Sequence, residues 1–331
     1  MRIGTRIHTD WLGSDDDHDL KFLKQIGVDY VDITLDMVKG YTETGCFEKS
    51  DLLELIDRLE DSELKIERAD SLGPYYRDAH TCGPNAQQEI DNLCKIAEML
   101  GEVEVPVFGI QCCQASNSVE GRTGWTQKQG RGGYGYPSFD LKEAQGVSYE
   151  PEKKYTAEQL WEGLLNIYRQ VIPVAESSGT NVAMHGNDPP LYEHWGNPQI
   201  LCRYADFDRL FQEVPSDHNT MTFCVGTRYE SGEDVFEGIR HFGGQNKIKH
   251  VHFRNVRGTL PSSQGYAEVF LDDGDMDMNK VVHALHEVDY EGVIDFDHVM
   301  TISGDTSHGR QYIGFSVGYM RGLLAEVGGE G

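Results

Sequence analysis

Positive charge is scarce in this chain. Its 331 residues hold 29 Lys and Arg against 55 Asp and Glu, a formal net charge of −26. A surface of that sign repels phosphate backbones, which excludes nucleic acid and anionic membrane as partners. An anionic ligand must then be captured by local positive charge, either a metal ion or a few arginines. Long apolar runs are absent too. No stretch approaches the roughly eighteen apolar residues of a transmembrane helix, and the opening MRIGTRIHTDW lacks the apolar core of a signal peptide, so the expected location is the cytoplasm. The cysteines number seven, an odd count with irregular spacing and no CxxC pair. That excludes a disulfide framework and a zinc ribbon. Low-complexity linkers and short repeats are missing as well, so residues 1–331 are expected to form one domain.

What the chain does have is an alternation of strand-like and helix-like patterns. Strands are expected at 2–7, 28–35, 64–72, 105–111, 181–186, 220–226, 247–255 and 292–299. Between them the apolar i, i+3, i+4 spacing predicts helices at 19–27, 50–62, 85–101, 156–179, 205–214, 233–243, 276–288 and 309–327. Ser50 and Thr156 read as N-caps, and Asp275 and Asp277 read as caps of the helix at 276–288. Eight such units give an α/β fold, a (β/α)8 TIM barrel, with a long insertion after the fourth strand. That insertion, 112–155, carries GRTGWTQKQGRGGYGYPSFDL. Glycines with interleaved aromatics suit a lid over a polar ligand. The HTDWLGSDDDHD stretch after the first strand opens onto the same face, where Trp11 either walls the pocket or packs.

The last four strands each end in a side chain that binds transition metals: His185, Cys224, His252 and Asp297. The C-terminal ends of parallel barrel strands converge in space, and chemistry sits on that rim. Period 2 puts His250 and His252 on one face of their strand, and His252 lies nearer the rim. A thiolate and a carboxylate neutralise a divalent ion, and two imidazoles complete the set. This composition suits Mn2+, Fe2+, Co2+ or Zn2+ and leaves positions open for substrate oxygens.

MHGNDPP (184–190), TFCVGT (222–227), HVHFRNV (250–256), EVFLDDGDMDM (268–278) and FDHV (296–299) resemble the successive motifs of the D-mannonate dehydratase family. GRGGYGYPSFD (130–140) resembles a further segment, and the likeness runs from about 120 to 325. The resemblance implies a metal-dependent barrel enzyme that converts D-mannonate to 2-keto-3-deoxy-D-gluconate, with manganese as the first expectation for its ion and a homo-oligomer as its assembly. It implies the same four metal ligands. It makes His298 an acid/base residue and Tyr312, or in competition Tyr319, its partner. Arg254 and Asn255, at the rim after His252, are candidates for the substrate carboxylate. Asp188 and Glu268 are candidates for orienting ligands or hydroxyls. The chain departs from the family pattern where Gly186 and Asn187 replace Pro and Asp, and where Phe296 replaces Pro, which changes the pocket wall. Two rival readings stand beside the dehydratase: a sugar isomerase or epimerase on the same barrel type, and a non-catalytic sugar-acid-binding relative.

Overall fold

The structure is a computed structural model that describes residues 1–13, 17–111, 124–145, 155–194 and 196–328. Eight parallel strands close into a barrel: β1 (Arg2–Arg6), β2 (Tyr30–Thr34), β3 (Lys65–Ser71), β4 (Val107–Gln111), β5 (Asn181–His185), β6 (Asn219–Cys224), β7 (Ile248–His252) and β8 (Val293–Asp295). Each strand pairs with its neighbours in sequence order, and β1 pairs with both β2 and β8. Alternation sorts the side chains. Val182, Met184, Met221, Phe223, Val251 and Ile294 belong to the continuous apolar core. The residues between them, His185, Thr222, Cys224, His250 and His252, turn away from it.

The barrel interior is charged. Asp32, Glu67, Arg68, Asp70, His250 and Asp295 are all buried. Arg68 donates to Asp32 (2.7 Å) and Asp70 (2.9 Å), while His250 bridges Glu67 and Asp295, each at 2.8 Å. A register shift between β2 and β3 skips Glu67. The bulge lets two consecutive residues, Glu67 and Arg68, both find partners inside the barrel. Such buried pairs add little net stability over apolar side chains, but breaking one is costly.

The helices follow the sequence pattern closely. The helix Ala157–Ser178 starts from a capping box in which Thr156 accepts from the Gln159 amide (3.1 Å) and Gln159 accepts from the Thr156 amide (2.9 Å). Asp277 caps Met278–Glu287 as expected. Two expected caps fail. The helix Lys49–Glu60 is entered from Glu48, which leaves Ser50 inside its first turn. Asp275 instead accepts from the Gly258 amide at 2.7 Å. No described helix is long and apolar enough to cross a membrane.

A second sheet, not expected from the sequence, roofs the barrel mouth. Its antiparallel strands run Asn255–Arg257, Gly265–Val269, Gly135–Asp140 and Trp125–Gln129 in that order. Two come from the insertion after β4 and two from the segment after β7. The insertion hairpin turns through Gly132 (φ 66°) and Gly133 (φ 86°), a left-handed conformation that glycine adopts without steric cost. Gly135 and Thr301 exchange backbone hydrogen bonds of 2.8 and 3.0 Å, tying this roof to the segment after β8. The flanking parts of the expected lid, 112–123 and 146–154, lie outside the described residues.

Candidate active site

Barrel register brings the expected donors to one level: Cys224 pairs with His252, and His252 with Asp295. One donor atom each of His185, Cys224 and His252 lie within 4.8 Å of one another. The His185 Nδ1 donates to the Gly186 carbonyl oxygen (2.6 Å), so Nε2 keeps its lone pair. Burial pulls the pKa of His185 down to about 4 and that of His252 well below the usual histidine range, so both rings are neutral. Neither ring nitrogen of buried His252 makes a hydrogen bond. The Cys224 sulfur accepts from the Thr227 hydroxyl (3.1 Å) and amide (3.4 Å). Burial raises its thiol pKa, and the Arg254 charge opposes that rise.

Asp297 lies beside this group rather than within it, with its Oδ2 3.4 Å from His252 Nδ1. β8 ends at Asp295, and Asp297 takes a left-handed φ of 59°. Strand alternation therefore no longer applies, and Asp297 and His298 both reach the mouth. Burial disfavours the Asp297 charge, but the cationic His298 and Arg254 outweigh it and hold this carboxyl well below the ordinary range. Two neutral imidazoles with free lone pairs, a thiol and an ionised carboxylate fit a divalent transition-metal ion. Two other acid-rich groups do not. In the cluster Asp32–His250–His252–Asp295 both His250 nitrogens are already bonded, and the cluster Asp188–Glu230–Glu268 surrounds a guanidinium.

That guanidinium is Arg254, which the sequence offered as a candidate for the substrate carboxylate. It is 2% exposed. It donates to Glu230, Asp188 and the Thr227 hydroxyl (2.8 Å), and lies 3.5 Å from Glu268 and 3.4 Å from Asp297. Its hydrogen-bonding edge is taken up by the protein's own acids rather than offered to a ligand. Asn255 is likewise buried and donates to the Leu271 (2.8 Å) and Met276 (3.0 Å) carbonyls, pinning the loop behind the roof. Tyr312 is 1% exposed, edge-on to Phe270 and Phe296, and Tyr319 stacks on Phe315. Neither tyrosine lines the mouth. Trp11 also packs, edge-on to His8 and His308.

The mouth itself is a cavity of about 850 Å³ whose wall includes His185, His252, Asp297, His298, Asp188 and Glu268, and whose roof includes Trp125, Thr126 and Gln127. His298 Nδ1 sits 2.6 Å from Glu268 Oε2, and its Nε2 3.4 Å from Asp297. Burial lowers the His298 pKa, but Asp297 and Glu268 outweigh that and raise it above the usual histidine range. Asp188 accepts from the Tyr266 hydroxyl (2.7 Å). Sequence reasoning missed Tyr266, although it stands two residues before Glu268 and period 2 puts both on one face. It also missed Arg6, His8 and Gln111, which line the cavity from the ends of β1 and β4, where the strand-end rule could have found them. Glu230 lies on the short helix after β6 and gave no such signal.

A barrel with His, Cys, His and Asp gathered at its C-terminal mouth, beside a paired histidine and glutamate, defines a barrel enzyme built around a metal-type donor set. Residues 138–328 match the family model for D-mannonate dehydratase (UxuA), and the chain belongs to that family. It is 27% identical to mannonate dehydratase 2 of Halalkalibacterium halodurans over 91% of this chain and 92% of that protein. It is 32% identical to the mannonate dehydratase of Thermotoga petrophila over 54% of this chain and 50% of that protein. The fold superposes on the crystal structure of mannonate dehydratase from Streptococcus suis serotype 2 with a TM-score of 0.83 and 24% identity, covering 100% of this chain and 95% of that one. A D-psicose 3-epimerase from Clostridium cellulolyticum shares the barrel with a TM-score of 0.64 and 12% identity, over 98% of this chain and 99% of that one.

Proposed function

We propose that this protein removes water from a sugar acid, converting D-mannonate to 2-keto-3-deoxy-D-gluconate. The observation that carries the reading is the donor group His185–Cys224–His252, with Asp297 against it, opening on a cavity whose wall holds the Glu268–His298 pair. These four residues would hold the divalent ion, which we take to be Mn2+. When bound, it supplies Lewis acidity that lowers the cost of the negative charge developing as the C2 proton leaves.

The chain's own groups do the rest. Glu268 and Asp297 favour the protonated form of His298 and fix its ring, so it is poised to give a proton to the departing C3 hydroxyl. The complementary step needs a neutral base. His8 lines the same cavity, and burial together with the neighbouring His308 holds its pKa below the usual histidine range. With Tyr312 packed away from the mouth, His8 is the group we assign to the C2 proton. Asp188, held by Arg254 and Tyr266, orients substrate hydroxyls at the opposite wall. The roof strands exclude water while the enol tautomerises to the keto acid.

The direct test is a panel of aldonic acids with Mn2+, Co2+, Mg2+ or Zn2+, read out by keto-acid formation and product mass. Loss of water with D-mannonate supports the lyase. An unchanged mass would put the chain with the epimerases that share its barrel, and tight binding without turnover would make it a sugar-acid-binding relative. We further propose a cytoplasmic homo-oligomer, checked by fractionation and light scattering.

A further inference from the structure

Resting on the sugar-acid reading of the mouth, we propose that Arg6 binds the substrate carboxylate. Among the described residues lining the cavity, Arg6 is the only lysine or arginine. In a chain of net charge −26 an anionic ligand needs such a point of capture. Arg6 stands at the C-terminal end of β1, on the same rim as the metal-type donors.

The geometry favours a pre-set anion clamp. Arg6 donates to Asp32 through Nε (3.1 Å) and Nη2 (2.7 Å), and Nη2 also reaches Asp70 at 3.4 Å. Its Nη1 makes no hydrogen bond to any described residue. The Arg6 side chain keeps 30% of its exposure while Asp32 and Asp70 keep 1% each. The anchors are therefore buried while the Arg6 side chain stays partly exposed in the cavity wall. From below, Arg68 donates to the same two aspartates. Two arginines thus match Asp32 and Asp70 in charge, and the further acid that acts on Arg6, Asp297, is one of the four groups that would hold the metal ion. Arg254 offers the opposite environment, because a ligand carboxylate at its edge would face Asp188, Glu230, Glu268 and Asp297. A guanidinium with its rotamer already fixed loses little further freedom on binding, and a charge-assisted contact then contributes most of its strength.

The test compares D-mannonate with its neutral isostere D-mannonamide, by calorimetry on the Mn2+-loaded protein and on Arg6→Gln and Arg6→Lys. The wild type is expected to bind the acid about 100-fold more tightly than the amide. Arg6→Gln should lower that preference at least about tenfold and raise KM with manganese content unchanged, and Arg6→Lys should fall between. A wild type that binds acid and amide alike, or an Arg6→Gln variant that keeps the full preference, overturns the assignment. Should Arg6→Gln not fold, phenylglyoxal labelling of the wild type decides. D-mannonate must protect Arg6 from modification where D-mannonamide does not, and equal labelling with either overturns the proposal. Preserved acid preference without keto-acid formation would remove the lyase reading and leave Arg6 in place.

Discussion

Replacing Arg254 by leucine separates its structural role from a substrate-binding one. The guanidinium is 2% exposed and is the shared partner of Asp188, Glu230 and Glu268, with Asp297 at 3.4 Å. Its removal leaves at least two buried carboxylates facing one another with no counter-charge. Breaking one buried pair costs about 3–5 kcal/mol. Some relief comes from protonation, since burial and the neighbouring acids already push the Glu230 pKa well above the usual carboxylate range despite Arg254. The expected loss is therefore about 3–4 kcal/mol, a large share of the roughly 5–15 kcal/mol that holds a typical protein folded. Urea unfolding followed by tryptophan fluorescence and far-UV circular dichroism reads it, and it should lower the midpoint of both signals together. Glu230→Gln, which keeps a hydrogen-bonding partner for Arg254 at a carboxyl whose pKa burial already pushes up, should cost only about 1 kcal/mol. An Arg254→Leu protein within about 0.5 kcal/mol of the wild type, but with KM for D-mannonate raised a hundredfold, would refute this reasoning and return Arg254 to the substrate.

Three further outcomes follow from the same geometry. Tyr312→Phe should keep kcat within about threefold and lose no more than about 1.5 kcal/mol of stability, because Tyr312 is buried outside the cavity lining with its hydroxyl beside Ser316; a loss of turnover in steady-state assays would make it a catalytic residue. His298→Asn should retain the bound metal, measured by elemental analysis, and lose turnover by about 100-fold or more. Thr156→Ala removes one half of a capping box and should lower stability by about 1 kcal/mol in thermal melts with activity unchanged.

The barrel was legible because its signals are local. Apolar strands bounded by glycines, and helices with 3.6-residue spacing, need no knowledge of distant partners. His185, Cys224 and His252 were legible for the same reason, since each closes a strand and parallel strands end at one rim. The roof was not, because Asn255–Arg257 and Gly265–Val269 are short, and Gly265–Val269 finds its second antiparallel partner more than a hundred residues upstream in the insertion. Arg254 read as a rim candidate for the substrate carboxylate because nothing local shows that Glu230, Asp188 and Glu268, from three other segments, fold around it. Arg6 and His8 obeyed the strand-end rule, but in a first strand without a metal-ligand signature. Gly186 departs from the family pattern for a visible reason: a Cβ there would stand 2.7 Å from the Leu201 carbonyl oxygen. Leu201 closes against that point, its carbonyl accepting from the Asn187 backbone amide, and the Asn187 side-chain amide donates to the Ile200 carbonyl.

The central claim is that one divalent ion is shared by a sulfur and two imidazoles at the barrel mouth. Cobalt titration of the metal-free protein tests it most directly, because a Co2+ ion bound to a thiolate shows an intense near-ultraviolet charge-transfer absorption that oxygen and nitrogen ligands do not give. The account predicts that this band saturates at one equivalent in the wild type, vanishes in Cys224→Ser, and weakens with loss of affinity in His252→Ala. A folded wild type that takes up no cobalt, or a band that survives in Cys224→Ser, would contradict it.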